Sequence, residues 1–228
     1  MRKYAIPILC LIVFIFAFGN YFNHHGYPVF SFQKEHKIIV IDVGHGGNDP
    51  GKVSANGIEE KDVNLEIAKY LRDYLIAQDY IVYLTRDTDC GLYDEGASNK
   101  KSSDLKNRVQ FFKDKQATLV VSIHQNSFSD PLQHGAQAFY FSKSESSQQL
   151  AQSIQNSLVK IDPSNTRTEK ASDTYYLLKN SSMPAVIVEC GFLSNAEETA
   201  KLTDSNYQKK LAYAISLGIC SYEKGQKQ

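Results

Sequence analysis

A run of apolar residues that stops abruptly at a glycine-flanked histidine sets the strongest limit on what this chain can fold into. Residues 38–47 read IIVIDVGHGG. Lys37–Val43 is short, β-branched and nearly free of polar side chains, the pattern of a buried strand. The same pattern returns at Ile81–Thr85, Leu119–Ile123, Ala136–Phe141, Tyr175–Leu178 and Ala185–Val188. Helical periodicity fills the intervals near 60–78, 104–114, 145–160 and 206–221. Short apolar strands bounded by Gly, Asn and Asp, with helices between them, predict a single α/β domain. Two long polar segments, Cys90–Ser103 (CGLYDEGASNKKSS) and Asp162–Asp173, read as surface loops. Loops of that length in a compact domain often line a site.

The N-terminus differs from the rest. Arg2 and Lys3 precede an unbroken apolar run from Tyr4 to Phe18. A basic stretch followed by an apolar one is an export signal. Ala17-Phe18-Gly19 suits cleavage; otherwise the run continues into Tyr21-Phe22 as an uncleaved anchor, at the short end of a membrane span. Its terminal position and basic flank argue against a core helix. The expected organisation is therefore a signal peptide or membrane anchor over 1–22, a linker over 23–36 and a catalytic domain over 37–224. The 25 basic and 25 acidic residues balance. That argues against broad nucleic-acid binding, which normally leaves a basic excess. Four cysteines without a CxxC pair argue against a cysteine zinc site and suggest isolated thiols.

In open α/β sheets, ligands collect at the carboxyl ends of strands. Three such ends carry unusual residues: Gly44-His45-Gly46-Gly47, Ser122-Ile123-His124-Gln125-Asn126 and Val188-Glu189-Cys190-Gly191. Glu60 adds a fourth group. The helix after it carries Val63, Ile67, Tyr70, Leu71, Tyr74 and Leu75 on one side, with Leu65 off the stripe. At about 100° per residue, Glu60 falls roughly 20° from the stripe's centre and Glu59 roughly 80° away. Glu60 thus points inward, where an unpaired carboxylate is costly and a cation would relieve it. His45, Glu60 and His124 with an open fourth position make the ligand set of a catalytic zinc. Each alone has a plainer reading: a hydrogen-bonded histidine, a helix-dipole glutamate, a glycine turn without dinucleotide-binding spacing. The combination carries the inference. The glycines around His45 let the backbone turn and leave room for a substrate.

At this point the chain resembles the zinc-dependent N-acetylmuramoyl-L-alanine amidases of the Amidase_3 family, which hydrolyse bacterial peptidoglycan. The matching stretches are IVIDVGHGGNDPG, NGIEEKDVNLEIAKYL, VYLTRDTD, LVVSIHQNSF, YYLLKNSSMPAVIVECGFLSNAEE and YQKKLAYAISLGI, spanning Lys37 to Tyr222. The resemblance implies zinc ligands at His45, Glu60 and His124, and a catalytic glutamate at Glu189. It also implies a twisted, mostly parallel or mixed sheet of about six strands with helices on both faces. A narrower likeness, through LYDEGASNKKSSDLKNRV and the short chain, is to the sporulation amidases. These strip peptides from muramic acid in spore cortex, a step towards the muramic-δ-lactam used in germination.

Val43 stands where the family usually has proline, Gln125 where a small residue is common, and Cys190 where valine is common. These departures bear on metal affinity and groove shape, and a weakly held metal would make activity depend on an activator protein. Glu189 has a plainer reading too, as an ion-pair partner of Arg86 or Arg108. Asn126 and Asn195 either touch glycan or cap turns. Arg167 and Lys170 either meet peptide carboxylates or sit on a solvated loop. The Tyr175-Tyr176 pair should place one ring in the core. The competing functions are a carboxypeptidase-like peptidase acting on stem peptides and a non-catalytic wall-binding module. The expected partners are peptidoglycan and, through the N-terminal segment, the membrane.

Overall fold

The computed structural model describes residues 5–25 and 36–226. The chain divides into two units, Met1–Glu35 and His36–Gln228. In the first, α1 (Ala5–His25) is a helix whose side chains from Leu11 to Tyr21 are exposed. Among the described residues, no helix is long and apolar enough to cross a membrane. The basic flank Arg2-Lys3 and residues 26–35 of the expected linker lie outside the described residues, and residues 23–25 of that linker belong to α1.

The second unit is built on one six-stranded sheet. Its strands are β1 (Ile38–Val43), β2 (Ile81–Leu84), β3 (Leu119–Asn126), β4 (Gln137–Tyr140), β5 (Lys170–Ala171) and β6 (Ala185–Phe192), in the order β2-β1-β3-β6-β4-β5. Pairing is parallel except between β4 and β6. The helices are α2 (Glu60–Ile76), α3 (Lys100–Asp114), α4 (Glu145–Ile161), α5 (Tyr176–Asn180), α6 (Ala196–Leu202) and α7 (Ser205–Gly225).

The strands are uniformly apolar because both faces are covered. Ile39, Ile41 and Val43 join α2, α4 and α7 in one core, while Val40 joins α3 and α5 in the other. β3 and β6 alternate in the same way. By that period of two, Asp42, Ser122, His124 and Glu189 fall on the side of α3 and α5. Side-chain caps start several helices: Asn99 accepts from Ser102 N before α3, and Asp204 from Tyr207 N before α7.

Four features depart from the sequence reading. Tyr175–Leu178 is not a strand: Tyr176–Asn180 is the short helix α5, which buries Leu177 and Leu178 together and leaves Tyr176 partly exposed. Two adjacent buried leucines fit a single helical turn better than an alternating strand. The sixth strand is β5, two exposed residues inside the segment read as a loop. Leu65, off the apolar stripe, is nonetheless 9% exposed and part of the core. α6 was missed, being only seven residues long.

Candidate metal centre

β3 and β6 run past their apolar stretches, so that His124 and Glu189 lie opposite each other on adjacent strands. The turn after β1 delivers His45 and the first turn of α2 delivers Glu60. One ligand atom from each of His45, Glu60 and His124 lies within 4.8 Å of the other two. Glu60 Oε1 is 3.2 Å from His45 Nε2 and 3.0 Å from His124 Nδ1. The two imidazoles meet edge to face, with ring centres 5.0 Å apart.

Glu60 turns inward as its helical position dictates: it is 3% exposed, while Glu59 stays wet. Its carboxylate is fully used. Oε2 accepts from Lys52 N at 2.8 Å, and Oε1 from Gln125 N at 3.0 Å and Asn64 Nδ2 at 3.3 Å. Burial alone would raise the Glu60 pKa; the two imidazoles outweigh it and hold the carboxyl well below the usual carboxylate range. Burial would likewise push the His45 imidazole down, yet Asp49 and Glu60 hold its pKa up at about 9. Asp49 Oδ2 lies 2.8 Å from His45 Nδ1, the outer partner that orients a ligating imidazole.

Two glycines make the convergence possible. A Cβ at Gly44 would collide with the His124 ring, and one at Gly51 would lie 2.6 Å from Glu60 Oε2. Gly51 also has φ +67°, a conformation that side chains disfavour. The space beside Gly44 is therefore occupied by the His124 side chain, not kept for substrate.

Glu189 is buried at 7% exposure beside these groups. Tyr175 OH donates to its Oε1 at 3.2 Å, and its Oε2 has no hydrogen-bond partner among the described residues. Burial pushes its carboxyl pKa up, against the pull of the neighbouring imidazoles. The four side chains and Tyr175 line a cavity of about 810 Å³. The ion pair of Glu189 with Arg86 or Arg108 does not form. Both arginines turn to backbone carbonyls at residues 43–45, and Arg108 also to Asp42 and Asp104.

The remaining candidates sort plainly. Asn195 caps α6, and Asn126 accepts from Ser127 N in the turn after β3. Arg167 is committed to His134 O and Gln133 and lies over the Phe192 ring, and Lys170 is exposed on β5. The Tyr175 ring packs edge to face against Phe139. Cys90, Cys190 and Cys220 are free thiols. Gln125 points inward and donates to Asn64 Oδ1, so it supports Glu60 through Asn64. Val43 N donates to Thr85 Oγ1, a bond that proline could not make. Sequence reasoning missed Asn64, Asp49 and the Tyr175–Glu189 contact. Asn64 had a signal: it is a polar residue one helical turn after the inward Glu60, on the same face, and it is 0% exposed in the structure.

Two imidazoles and a carboxylate within one ion's reach suit a borderline divalent metal. The buried, unpartnered Glu189 oxygen beside them is the kind of orphan that needs a polar neighbour. Topology and donor set thus define an α/β domain around a candidate divalent-ion site. The family described as N-acetylmuramoyl-L-alanine amidase, Amidase_3, matches residues 39–221, and the chain belongs to it. Among its relatives is the germination-specific N-acetylmuramoyl-L-alanine amidase of Bacillus subtilis, 38% identical over 98% of this chain and 96% of that protein. The CwlD amidase of Clostridioides difficile, solved in complex with the GerS lipoprotein, superposes with a TM-score of 0.81 at 40% identity. That match covers 83% of this chain and 100% of that one. AmiA of Escherichia coli is 30% identical over 88% of this chain and 81% of its own length.

Proposed function

We propose that this amidase acts on spore-cortex peptidoglycan, with zinc held by His45, Glu60 and His124 and with Glu189 as its proton-transfer group. The observation that carries the reading is the convergence of three donor side chains within 4.8 Å beside a buried carboxylate with one oxygen unpartnered. The bond cleaved joins the lactyl carbonyl of muramic acid to the nitrogen of L-alanine. An amide carbonyl is a poor electrophile, and its leaving amine needs a proton. When bound, zinc supplies Lewis acidity to the carbonyl and to water. Glu189 Oε2 takes a proton from the attacking water and returns it to the departing amine, help that typically contributes ~10²–10⁴-fold. The raised carboxyl pKa suits a group that must both accept and donate.

The N-terminal segment would carry the domain across the membrane, as signal or anchor, and place it in the space around the forespore. The chain's likeness to the germination-specific amidase supports the cortex assignment. The GerS complex of the Clostridioides difficile neighbour supports a protein activator here. Mass spectrometry of digested cortex and vegetative peptidoglycan, with and without zinc, tests the reading. Glycan freed of intact peptide is the expected product. Shortened peptide would make the chain a peptidase, and no change with zinc present would favour a wall-binding module or a missing activator.

A further inference from the structure

The turn that carries His45 is held in an unusual way. His45 has φ +61°, in the left-handed region that a side chain disfavours, and Gly46 and Gly47 follow at +132° and +59°. Such a turn persists only where its surroundings over-determine it. The surroundings here are two buried guanidiniums, Arg86 and Arg108, at 4% and 2% exposure. Arg86 Nε donates to Val43 O at 3.3 Å and to His45 O at 2.8 Å, and its Nη2 to Gly44 O at 3.0 Å. Arg108 donates to Val43 O at 2.6 Å and to His45 O at 2.8 Å. Every carbonyl from Val43 to His45 therefore meets at least one arginine.

The same two side chains reach the elements that carry the other ligands. Arg86 Nη2 donates to Lys61 O at 2.7 Å, next in the chain to Glu60. Arg108 Nη1 donates to Asp42 Oδ1 at 2.8 Å, and Asp42 Oδ2 accepts from Ser122 Oγ at 2.5 Å, two residues before His124 on β3. Burying two like charges side by side is unfavourable, and a core needing only volume would be filled by apolar residues.

We infer that Arg86 and Arg108 are positioning residues for metal binding: they lock the left-handed His45 turn against the first turn of α2 and the end of β3. The inference rests on the reading of His45 as a metal ligand. Its physical core is the fork of the guanidinium. A lysine keeps the charge but gathers its donors on one nitrogen, and cannot reach carbonyls that the guanidinium meets from separate nitrogens.

The test uses full-length Arg86→Lys and Arg108→Lys chains, with folding followed by circular dichroism and zinc affinity by chelator competition. Each folded variant is expected to bind zinc about 10- to 100-fold more weakly, the usual cost of losing an outer partner of a ligand. Added zinc should then restore much of the lost kcat. Folded variants with parental zinc affinity would overturn the clamp. Should a lysine variant fail to fold, the same change is made with His45→Gly, because glycine accepts the left-handed conformation without strain. Recovery of folding in the double variant supports the clamp, and failure to recover assigns the arginines to the core alone and ends the proposal. His45→Ala, run alongside, separates the two ideas. If it keeps parental zinc affinity, the ligand reading falls. If it loses affinity while folded lysine variants do not, only the clamp falls.

Discussion

Replacing Tyr175 with phenylalanine removes one hydroxyl and nothing else, which makes it a sharp probe of Glu189. That hydroxyl is the hydrogen-bond partner of Glu189 Oε1, at 3.2 Å. Hydrogen bonds to charged groups contribute about 1.5–3 kcal/mol, and this one is long, so the lower figure applies. At 1.36 kcal/mol per decade, the expected loss is about tenfold in kcat. The ring remains, so its packing on Phe139 and the cavity wall are kept. KM and zinc affinity should change little. There is a second signature. A donor to the ionised carboxyl lowers its pKa, so removing it lets burial push Glu189 further up. A base must be deprotonated to act, so the acid limb of the kcat/KM profile should move to higher pH. Steady-state kinetics on a defined muropeptide across pH gives both numbers. Parental kcat with an unmoved acid limb would refute the argument that Tyr175 holds Glu189 for proton transfer.

Glu189→Ala should retain zinc and lose turnover; hydrolysis at the parental rate would remove Glu189 from the chemistry. Zinc binding near pH 7.5 should release about one proton, because His45 is held protonated with a pKa of about 9 and must be neutral to ligate. Titration calorimetry in buffers of different ionisation heat counts that proton, and a count of zero would reject the coupling. Asp42→Asn takes from Arg108 its fully buried partner but leaves Asp104, and should cost about 1.5–3 kcal/mol in urea unfolding at pH 7. Burial would raise the Asp42 pKa, but Arg108 and Ser122 outweigh it and hold it below the ordinary value. Its contribution is therefore complete above about pH 4 and lost as pH falls through the lowered value, so the variant and parent should converge in acid. Gly218→Ala should cost about 1–3 kcal/mol, since the new methyl would lie 2.5 Å from Ile154 Cα where α7 crosses α4; an unchanged unfolding midpoint would show that the helices part freely.

Much of the site was legible because its signals are local. Glu60 was assigned inward from the phase of one helix, and the carboxylate is buried as that phase requires. His45 and His124 stood out as polar residues where apolar strands end. The misread segment, Tyr175–Leu178, failed for the opposite reason: four apolar or aromatic residues carry too little periodicity to separate a strand from one helical turn. The error concealed the contact of Tyr175 with Glu189, because Tyr175 sits at the N-cap of α5 and its hydroxyl donates to the carboxylate on β6.

What the amino-acid order determined by itself was the set of elements that bury both faces of a sheet, the helix phase that turns Glu60 inward, and the residue types able to hold a divalent ion. Those properties depend on neighbours one to four positions apart. Only the tertiary structure decided that Asp42 would meet Arg108 across 66 positions, or that two arginines would grip the His45 turn. Polar networks of that kind follow from which strand ends lie side by side, and parallel pairing brings together residues that no local pattern connects.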